Sequence, residues 1–312
     1  MTLSNRKILR TLLCLLAGTL YAVCLSACGA KEPLSENRDA EIESPVIAND
    51  LSNQKVTAIA EDTQGHIWIG TFRGLNKNNV HDYHQYFCTD DSLGLPDNQI
   101  THLLRDSKNR FWVGTVNGVC LYTDKDNFRI IPIEADNKNV RQILEDRNGR
   151  IFLNTGFQLY AYHPREEKIT CVLPEISPGN AFYAQCHIAP DNNLWVMTST
   201  GLRCYDPSTL QLKESVALSG YPYYSYLHNN ELWITGNHTL SIFDTRTRSF
   251  KPLPQPIAQN TTLCNADIDY IHPYGNNGLL LNTARHGMFY YNPGTGSVTR
   301  QDENGFPFEM PR

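Results

Sequence analysis

A short motif recurs six times along this chain, and it limits the fold more than any other feature of the sequence. Each copy is an apolar or aromatic run of five residues that ends in Thr or a small residue. The copies lie at 67–71, 111–115, 151–155, 194–198, 232–236 and 279–283. Their spacing averages about 42 residues, which is the period of a four-stranded propeller blade.

Every repeat has the same internal order of strand and turn signals. A first apolar run, as at 56–60, 100–104 and 140–144, leads into an acidic turn that contains Gly or Asn. The motif run follows, and turn-forming Gly, Asp-Pro and Asn-Pro pairs then separate a third strand from a fourth. No segment shows a helical period of apolar residues. The sequence therefore predicts an all-β fold, a β-propeller of about six four-stranded blades.

The Trp residues of the motif are predicted to be core residues. A lone four-stranded sheet cannot bury its aromatic face, so neighbouring blades must stack on it. We therefore expect equivalent buried positions for Trp68, Trp112, Trp195 and Trp233.

The repeats divide the chain into six predicted blades. The blades are 51–94, 95–135, 136–179, 180–220, 221–261 and 262–305. Residues 306–312 match the beginning of another repeat, so we expect an incomplete ring whose seventh blade is only begun. An open ring would expose the flank of the sixth blade, including Phe289, Tyr290 and Tyr291.

The first 27 residues are predicted to be an export signal of the lipoprotein type. Residues 6–10 contain three basic side chains and precede an uncharged apolar run over 11–23, as in a secretory signal. Leu-Ser-Ala-Cys at 25–28 then matches the bacterial lipobox. We expect lipidation at Cys28, a polar tether over 28–50, and a location in the periplasm or outer cell envelope. An uncleaved membrane anchor is the alternative.

The charge balance excludes one class of partner. Lys and Arg number 27 against 32 Asp and Glu, a net charge of −5, whereas a nucleic-acid groove needs a basic face. The cysteines beyond Cys28 occur about once per repeat and without paired spacing. They are predicted to be buried thiols, with disulfide pairing in an exported protein as the alternative. No metal-ligand spacing is present, and no cofactor is expected.

Two stretches resemble the two-component regulator propeller repeat of Bacteroidetes hybrid sensor proteins. They cover 51–75 and 95–119, and each has a Leu-Ser or Leu-Pro opening with Asn, an Asp-containing turn, a Trp-bearing strand ending in Gly-Thr, and a Gly-Leu or Gly-Val start. The resemblance implies a periplasmic sensor propeller that responds to glycan breakdown products. Such proteins continue into a histidine kinase and a DNA-binding regulator. Neither a kinase-type Gly-rich box nor a basic helix-turn-helix occurs in this sequence, so neither activity is expected of it.

The connections between second and third strands differ from blade to blade on an otherwise repeated frame. They hold Arg73, Asn117, Phe157, Thr200, Asn237 and Arg285. The aromatic run 221–226 adds tyrosines, which suit sugar stacking and hydroxyl bonding but also inner packing of a first strand. The predicted ligand-binding surface, with an oligosaccharide as its ligand, consists of Arg73, Asn117, Phe157, Asn237, Arg285, Tyr223 and Tyr224.

Two other functions stay open at this point. A protein-docking propeller, with another protein or a second copy as partner, would use the same divergent loops. A lyase or lactonase would need His102 or His187 near an acidic partner such as Glu61, Asp106 or Glu145 at the central channel. Those pairs do not recur at metal-ligand spacing, so no enzymatic activity is expected.

Overall fold

The protein folds into six antiparallel sheets that form the blades of a propeller. The computed structural model describes residues 46–79, 81–89, 94–123, 126–175, 184–275 and 277–301. The predicted signal, Cys28, most of the predicted tether and the predicted beginning of a seventh blade lie outside these residues. The four strands of each blade are neighbours in chain order, so every blade is a meander of hairpins.

The strands of the blades have the following bounds. Blade 1 contains Val56–Glu61, Ile67–Thr71, Gly74–Asn79 and Asp82–Tyr86. Blade 2 contains Ile100–Arg105, Phe111–Thr115, Gly118–Tyr122 and Phe128–Ile131. Blade 3 contains Gln142–Glu145, Ile151–Asn154, Leu159–His163 and Lys168–Leu173. Blade 4 contains Gln185–Ile188, Leu194–Thr198, Gly201–Tyr205 and Leu212–Ala217. Blade 5 contains Pro222–His228, Glu231–Gly236, Thr239–Asp244 and Ser249–Lys251. Blade 6 contains Ile268–Tyr274, Gly278–Thr283, Gly287–Asn292 and Ser297–Gln301.

Helix is confined to one connection in the described part of the chain. Two single-turn helices, Gln255–Ala258 and Thr261–Cys264, link blade 5 to blade 6. Asn260 caps the second helix, because its side-chain oxygen accepts a hydrogen bond from the Leu263 amide at 3.0 Å. The prediction of an all-β propeller of six four-stranded blades is confirmed.

The end of the predicted tether differs from the expectation. Val46–Ala48 forms a fifth strand on blade 1 and pairs antiparallel with Asp82–Tyr86. The outer strand of a blade presents unpaired backbone donors and acceptors, and an extended segment that reaches this edge satisfies them. The predicted tether therefore does not run to residue 50, because residues 46–48 belong to the sheet of blade 1.

The four Trp side chains lie at equivalent buried positions, as predicted. Each ring packs against an aromatic ring in the third strand of the following blade. The ring centroids are 4.7 Å apart for Trp68 and Tyr122, 5.0 Å for Trp112 and Tyr162, 5.1 Å for Trp195 and Phe243, and 5.9 Å for Trp233 and Tyr291. These contacts bury apolar area between blades, which is the main favourable term in a repeat fold.

In the first two blades a turn carboxylate holds the indole N–H. Trp68 Nε1 donates to Asp62 Oδ2 at 2.9 Å, and Trp112 Nε1 donates to Asp106 Oδ2 at 2.8 Å. The other carboxylate oxygen accepts the backbone N–H groups two and four residues later. We call this arrangement the indole latch. Blade 3 keeps the carboxylate as Asp146 but has Phe152 in place of Trp.

Blade 4 keeps the Trp and loses the carboxylate. Ala189 occupies the latch position, since its backbone pairs with Asn193 as Asp106 pairs with Arg110. Trp195 Nε1 is therefore buried without a hydrogen-bond partner among the described residues. An unsatisfied buried donor costs about 1–3 kcal/mol.

We expect Ala189→Asp to raise the free energy of unfolding by about 1 kcal/mol, because the carboxylate would complete the latch with Trp195. Chemical denaturation measures the gain. In a Trp195→Phe background the same substitution has no indole to bind, so the gain should shrink. A gain of equal size in both backgrounds would contradict the latch as its cause.

Hydrogen bonds from the first strand of one blade to the first strand of the next join the inner layer. Gln142 Oε1 accepts from Cys186 N at 2.9 Å, Gln185 Oε1 accepts from Ser225 N at 2.6 Å, and the Tyr224 hydroxyl donates to Ile271 O at 3.3 Å. His102 makes the corresponding bond to the Ile143 backbone. The side chains that make these bonds belong to residues at one equivalent position of the first strand, since each is paired with the same position of its second strand. They are His102, Gln142, Gln185 and Tyr224.

Blade 1 has an exposed apolar flank. Val56 is 42% and Ile59 is 64% exposed, whereas the residues at the same register positions in blade 2, Ile100 and Leu103, are 0% and 7% exposed. The expectation of an exposed flank on blade 6 is wrong for Phe289 and Tyr291, which are buried in the blade 5 and blade 6 core. The first strand of a blade is covered by the blade before it, and blade 1 has no such cover among the described residues.

The cysteine prediction holds for half of the described thiols. Cys120, Cys186 and Cys204 are buried and free, as expected, and burial raises the pKa of Cys186 to about 12 and of Cys204 to about 11. Cys88 and Cys171 are exposed instead. Both lie near the outer edge of a blade, where alternate residues of a strand face solvent.

Candidate functional site

The antiparallel order of the strands gives the propeller two different ends. The turns between second and third strands and the connections between blades lie together at one end, which we call the top end. The turns between first and second strands and between third and fourth strands lie at the opposite end, which we call the bottom end. Loops on a rigid scaffold are where binding residues concentrate.

A framework Thr fixes the top-end turns. Thr71 Oγ1 donates to Gly74 O at 2.8 Å and accepts from Arg73 N at 3.1 Å. Thr115 makes the same two bonds, to Gly118 O at 3.0 Å and from Asn117 N at 3.2 Å. The backbone of the turn is thereby satisfied internally, so the residue in the middle of the turn is free to point into solvent. All five turn residues of the predicted surface are exposed: Arg73, Asn117, Phe157, Asn237 and Arg285.

One of these residues lines a cavity at the top end between blades 5 and 6, which we call the top cavity. The cavity has a volume of about 240 Å³. Its polar lining consists of His238, Asn265, Asp267, Arg285 and His286. Asn237 immediately precedes His238 in the turn of blade 5. Of the predicted turn residues, the structure therefore places Arg285 in the lining of the cavity and Asn237 next to a lining residue in the chain, and leaves Arg73, Asn117 and Phe157 on other blades.

Two hydrogen bonds fix one wall of the top cavity. His238 N donates to Asp267 Oδ1 at 3.0 Å, and His238 Nδ1 lies 3.0 Å from Asn265 O. The Asp267 carbonyl accepts from Ala284 N at 2.9 Å, which joins this wall to the turn that carries Arg285. Arg285 and Asp267 bring opposite charges to the lining of the top cavity. The imidazoles of His238 and His286 add hydrogen-bond donors and acceptors.

Sequence reasoning missed four polar residues of this cavity: His238, Asn265, Asp267 and His286. A signal was present, because Asn237-His238 and Arg285-His286 are both polar residue pairs in corresponding turns of adjacent blades. These turns meet because adjacent blades bring corresponding turns together, which the two pairs by themselves do not show.

The two predicted tyrosines lie in the first strand of blade 5 rather than in a connection. The Tyr224 hydroxyl is used in the bond to Ile271, its ring contacts Tyr270 at a centroid distance of 5.5 Å, and burial raises its pKa to about 12. Tyr224 is thus an inter-blade packing residue. Tyr223 is half-buried, and burial together with the nearby carboxylates of Asp267 and Asp269 raises its pKa.

The histidines and acids that a lyase would need are separated. Burial lowers the pKa of both His102 and His187 to about 4, and His187 Nε2 lies 2.8 Å from Ser225 Oγ. Asp106 is committed to the indole latch and to Arg110. Glu145 accepts from Ser107 N at 2.8 Å at the bottom end. In the described residues no group of three or more His, Cys, Asp or Glu side chains is arranged to hold a metal.

The family model named two component regulator propeller matches residues 50–73 and 94–117. Both stretches are similar to the repeat that this family model describes. They comprise the opening, first strand, latch turn and Trp-bearing strand of blades 1 and 2. In the propeller repeats of the later blades the latch or the Trp has changed, as Phe152 and Ala189 show. No curated protein matches the chain in sequence.

Solved structures that resemble this chain share its propeller fold. The extracellular domain of a putative hybrid two component system from B. thetaiotaomicron has 19% identity and a TM-score of 0.66 over 84% of this chain and 37% of its own. That of a putative one component system from the same organism has 22% identity and a TM-score of 0.61 over 85% and 36%. Virginiamycin B lyase from Staphylococcus aureus has 16% identity and a TM-score of 0.60 over 81% and 86%.

The chain spans little more than a third of the length of the two extracellular domains. The likeness shows a common propeller architecture. Within the described residues, no helix is long and apolar enough to cross a membrane.

Proposed function

We propose that this chain is the ligand-sensing propeller of an extracytoplasmic two-component-type sensor, and that it binds a glycan-derived oligosaccharide at the top cavity. The observation that carries the proposal is the convergence of divergent turn residues, Arg285 and His286 with His238, on a framework of regulator propeller repeats. The extracellular sensor domains that share the fold support it.

The lining of the top cavity suits a hydroxyl-rich ligand. Arg285 supplies a fork of donors, Asp267 supplies acceptors, and His238 and His286 can do either. The opposite charges of Arg285 and Asp267 balance, so an uncharged ligand needs no compensating ion. The volume of about 240 Å³ takes the end of a chain rather than a whole drug-sized ligand.

The cellular setting is part of the proposal. The predicted leader and lipobox support a location in the periplasm or outer cell envelope, with lipid on Cys28 as the proposed membrane anchor. The propeller would then meet extracellular sugars and pass the signal to a partner protein rather than perform turnover itself.

We expect short neutral oligosaccharides to bind the protein with a saturable heat in calorimetry. Arg285→Ala removes the donor fork and should weaken binding at least about tenfold, since hydrogen bonds to a charged group contribute about 1.5–3 kcal/mol. Arg73→Ala is the matched control, because it removes the same charge from the corresponding turn of another blade. Equal weakening by both variants, or no saturable heat with any neutral oligosaccharide, would overturn the proposal.

A protein-docking module is the second candidate, and a specific observation favours it. Val56, Ile59 and Phe72 are exposed apolar side chains on blade 1, and each is more than two-fifths exposed. Exposed apolar surface of this kind marks interaction sites. The titration separates the two functions, because a docking module would bind none of the sugars.

A further inference from the structure

A larger cavity lies between blades 5 and 6 at the bottom end of the propeller, whereas the top cavity lies at the top end. We call it the lower cavity. Its volume is about 570 Å³, within the usual range of small-molecule sites. Trp233 forms part of its lining and is 2% exposed. The indole N–H of Trp233 has no hydrogen-bond partner among the described residues.

The indole N–H is unsatisfied because blade 5 has lost the latch carboxylate. Leu227 pairs with Leu232 in the register that Glu61 and Ile67 have in blade 1, so the next residue, His228, stands where Asp62 stands. The His228 ring is engaged elsewhere, since its Nε2 lies 2.8 Å from Asn277 Oδ1 in blade 6. Trp233 stands at the strand position of Trp68 and Trp112, whose indole N–H groups donate to a carboxylate in the bottom-end turn.

We propose that the lower cavity binds a small uncharged molecule with a compact apolar ring and an amide carbonyl, whose oxygen accepts the hydrogen bond from Trp233 Nε1. This site is separate from the top cavity and does not depend on the proposed sugar binding. Three features of the cavity define the ligand class.

The vacated position calls for a carbonyl oxygen. In blades 1 and 2 the acceptor is an oxygen on a planar carbon, at 2.9 Å from Trp68 Nε1 and 2.8 Å from Trp112 Nε1. An amide carbonyl has the same planar geometry and is a strong acceptor. The ligand's carbonyl oxygen would therefore supply the acceptor for Trp233 Nε1 that blade 5 has lost.

The charges around the cavity call for a neutral ligand. Lys251 Nζ lies 2.5 Å from Glu231 Oε1, so these two neutralise each other. Asp244 Oδ1 accepts the backbone N–H groups of Thr247 at 3.0 Å and Arg246 at 2.9 Å. These bonds, together with the Lys251 and Arg246 charges, lower the pKa of Asp244. Two acids thus balance two bases, and a charged ligand would be buried without a counter-ion.

The walls call for an apolar ring. Apolar side chains dominate the lining between the charged rim and Trp233: Ile242, Pro252, Leu253, Pro254, Leu279 and Pro293, together with the ring of Tyr291. A flat ring placed among prolines and Tyr291 buries apolar area on both faces.

Blade 4 provides the internal comparison. Trp195 Nε1 is equally unsatisfied, but its indole belongs to a cluster of buried residues that includes Ala189 and Phe243. An unpaired indole alone does not make a site. In blade 5 the unpaired donor coincides with a cavity of ligand size.

The test uses nitrogen-15 NMR of the indole N–H signals of the full chain, which contains four Trp residues. The probe is benzamide, a neutral ring with an amide carbonyl. Benzoate has the same shape with a charge, and benzyl alcohol has the ring without a carbonyl. Trp233→Phe and Trp195→Phe assign the two signals.

Benzamide should shift the Trp233 signal saturably and leave the Trp195 signal in place. Benzoate and benzyl alcohol should bind at least about fivefold more weakly, because one adds an uncompensated charge and the other lacks the planar acceptor. Tighter binding of benzoate, an unmoved Trp233 signal, or an equal shift of Trp195 would overturn the proposal.

A second variant keeps the test independent of any folding defect in Trp233→Phe. His228→Asp places a carboxylate at the latch position of blade 5. This carboxylate would accept the hydrogen bond from Trp233 Nε1 in place of the ligand. The Trp233 signal should then shift without probe, and benzamide should no longer move it. Ala189→Asp is the matched control, since it should shift only the Trp195 signal and leave benzamide binding unchanged. Undiminished benzamide binding by His228→Asp, in a protein whose Trp195 signal is native, would contradict the proposed position.

Discussion

Trp112→Ala should lower the free energy of unfolding by about 3–5 kcal/mol, the usual cost of deleting a large buried aromatic side chain. Trp112 is fully buried, its ring lies 5.0 Å from Tyr162 in blade 3, and the Arg110 guanidinium lies 5.1 Å from its centroid. The substitution also leaves Asp106 without its indole donor. Urea denaturation followed by circular dichroism measures the loss.

The latch itself can be separated from the packing of Trp112 by two further variants. Asp106→Ala removes the indole acceptor, the acceptor of two backbone N–H groups and the partner of Arg110. Asp146→Ala removes the same backbone acceptor and the partner of Arg150, but no indole is present in blade 3. Asp106→Ala should therefore cost about 1–3 kcal/mol more than Asp146→Ala. Equal costs would show that the indole bond adds nothing.

Acid should destabilise the propeller between pH 6.5 and about 4 through its two inner histidines. Burial lowers the pKa of His102 and His187 from 6.5 to about 4, so the unfolded chain binds protons in this range that the folded chain does not. Stability is fully present above pH 6.5 and falls by about 1.4 kcal/mol per pH unit for each histidine until the folded pKa is reached. Hydrogen bonds from the Lys213 side chain and from the backbone N–H groups of Thr209 and Ser208 lower the pKa of Asp206 to about 2, which is below this pH range.

Denaturation curves at several pH values measure this slope. His102→Gln should remove about half of it, and Gln suits the site because Gln142 and Gln185 occupy the same register position in blades 3 and 4. The control is His238→Gln, at a side chain that is largely exposed, which should leave the slope unchanged. A slope that His102→Gln leaves intact would assign the acid sensitivity to other groups.

Most of the fold follows from the local sequence. The six motif runs, the acidic turns and the Trp spacing predict strands, turns and blades, because each strand pairs with its neighbour in the chain and the connections are short. The packing role of Trp68, Trp112, Trp195 and Trp233 also follows, since an aromatic residue repeated at one position of a blade must meet the next blade.

The candidate sites do not follow from the sequence in the same way. Arg285 was predicted as a ligand residue, but only the packing of blade 6 on blade 5 places it beside His238 and Asp267. Tyr224 matched a sugar-binding composition, yet its strand position turns its hydroxyl to the backbone of the next blade. Phe289 and Tyr291 were expected on an exposed flank and are buried, whereas Tyr290 is half-buried and Ile59 on blade 1 is exposed.

The sequence by itself determined the periodic features of this protein: the strand order, the blade type, the buried Trp series and the acidic turns. These depend on residues close together in the chain or repeated at a fixed period. Only the tertiary structure decided which blades leave space between them. The top cavity, the lower cavity and the unpaired indole of Trp233 depend on how two non-identical blades meet, and that fit is set by side chains some 40 to 50 residues apart that carry no common motif.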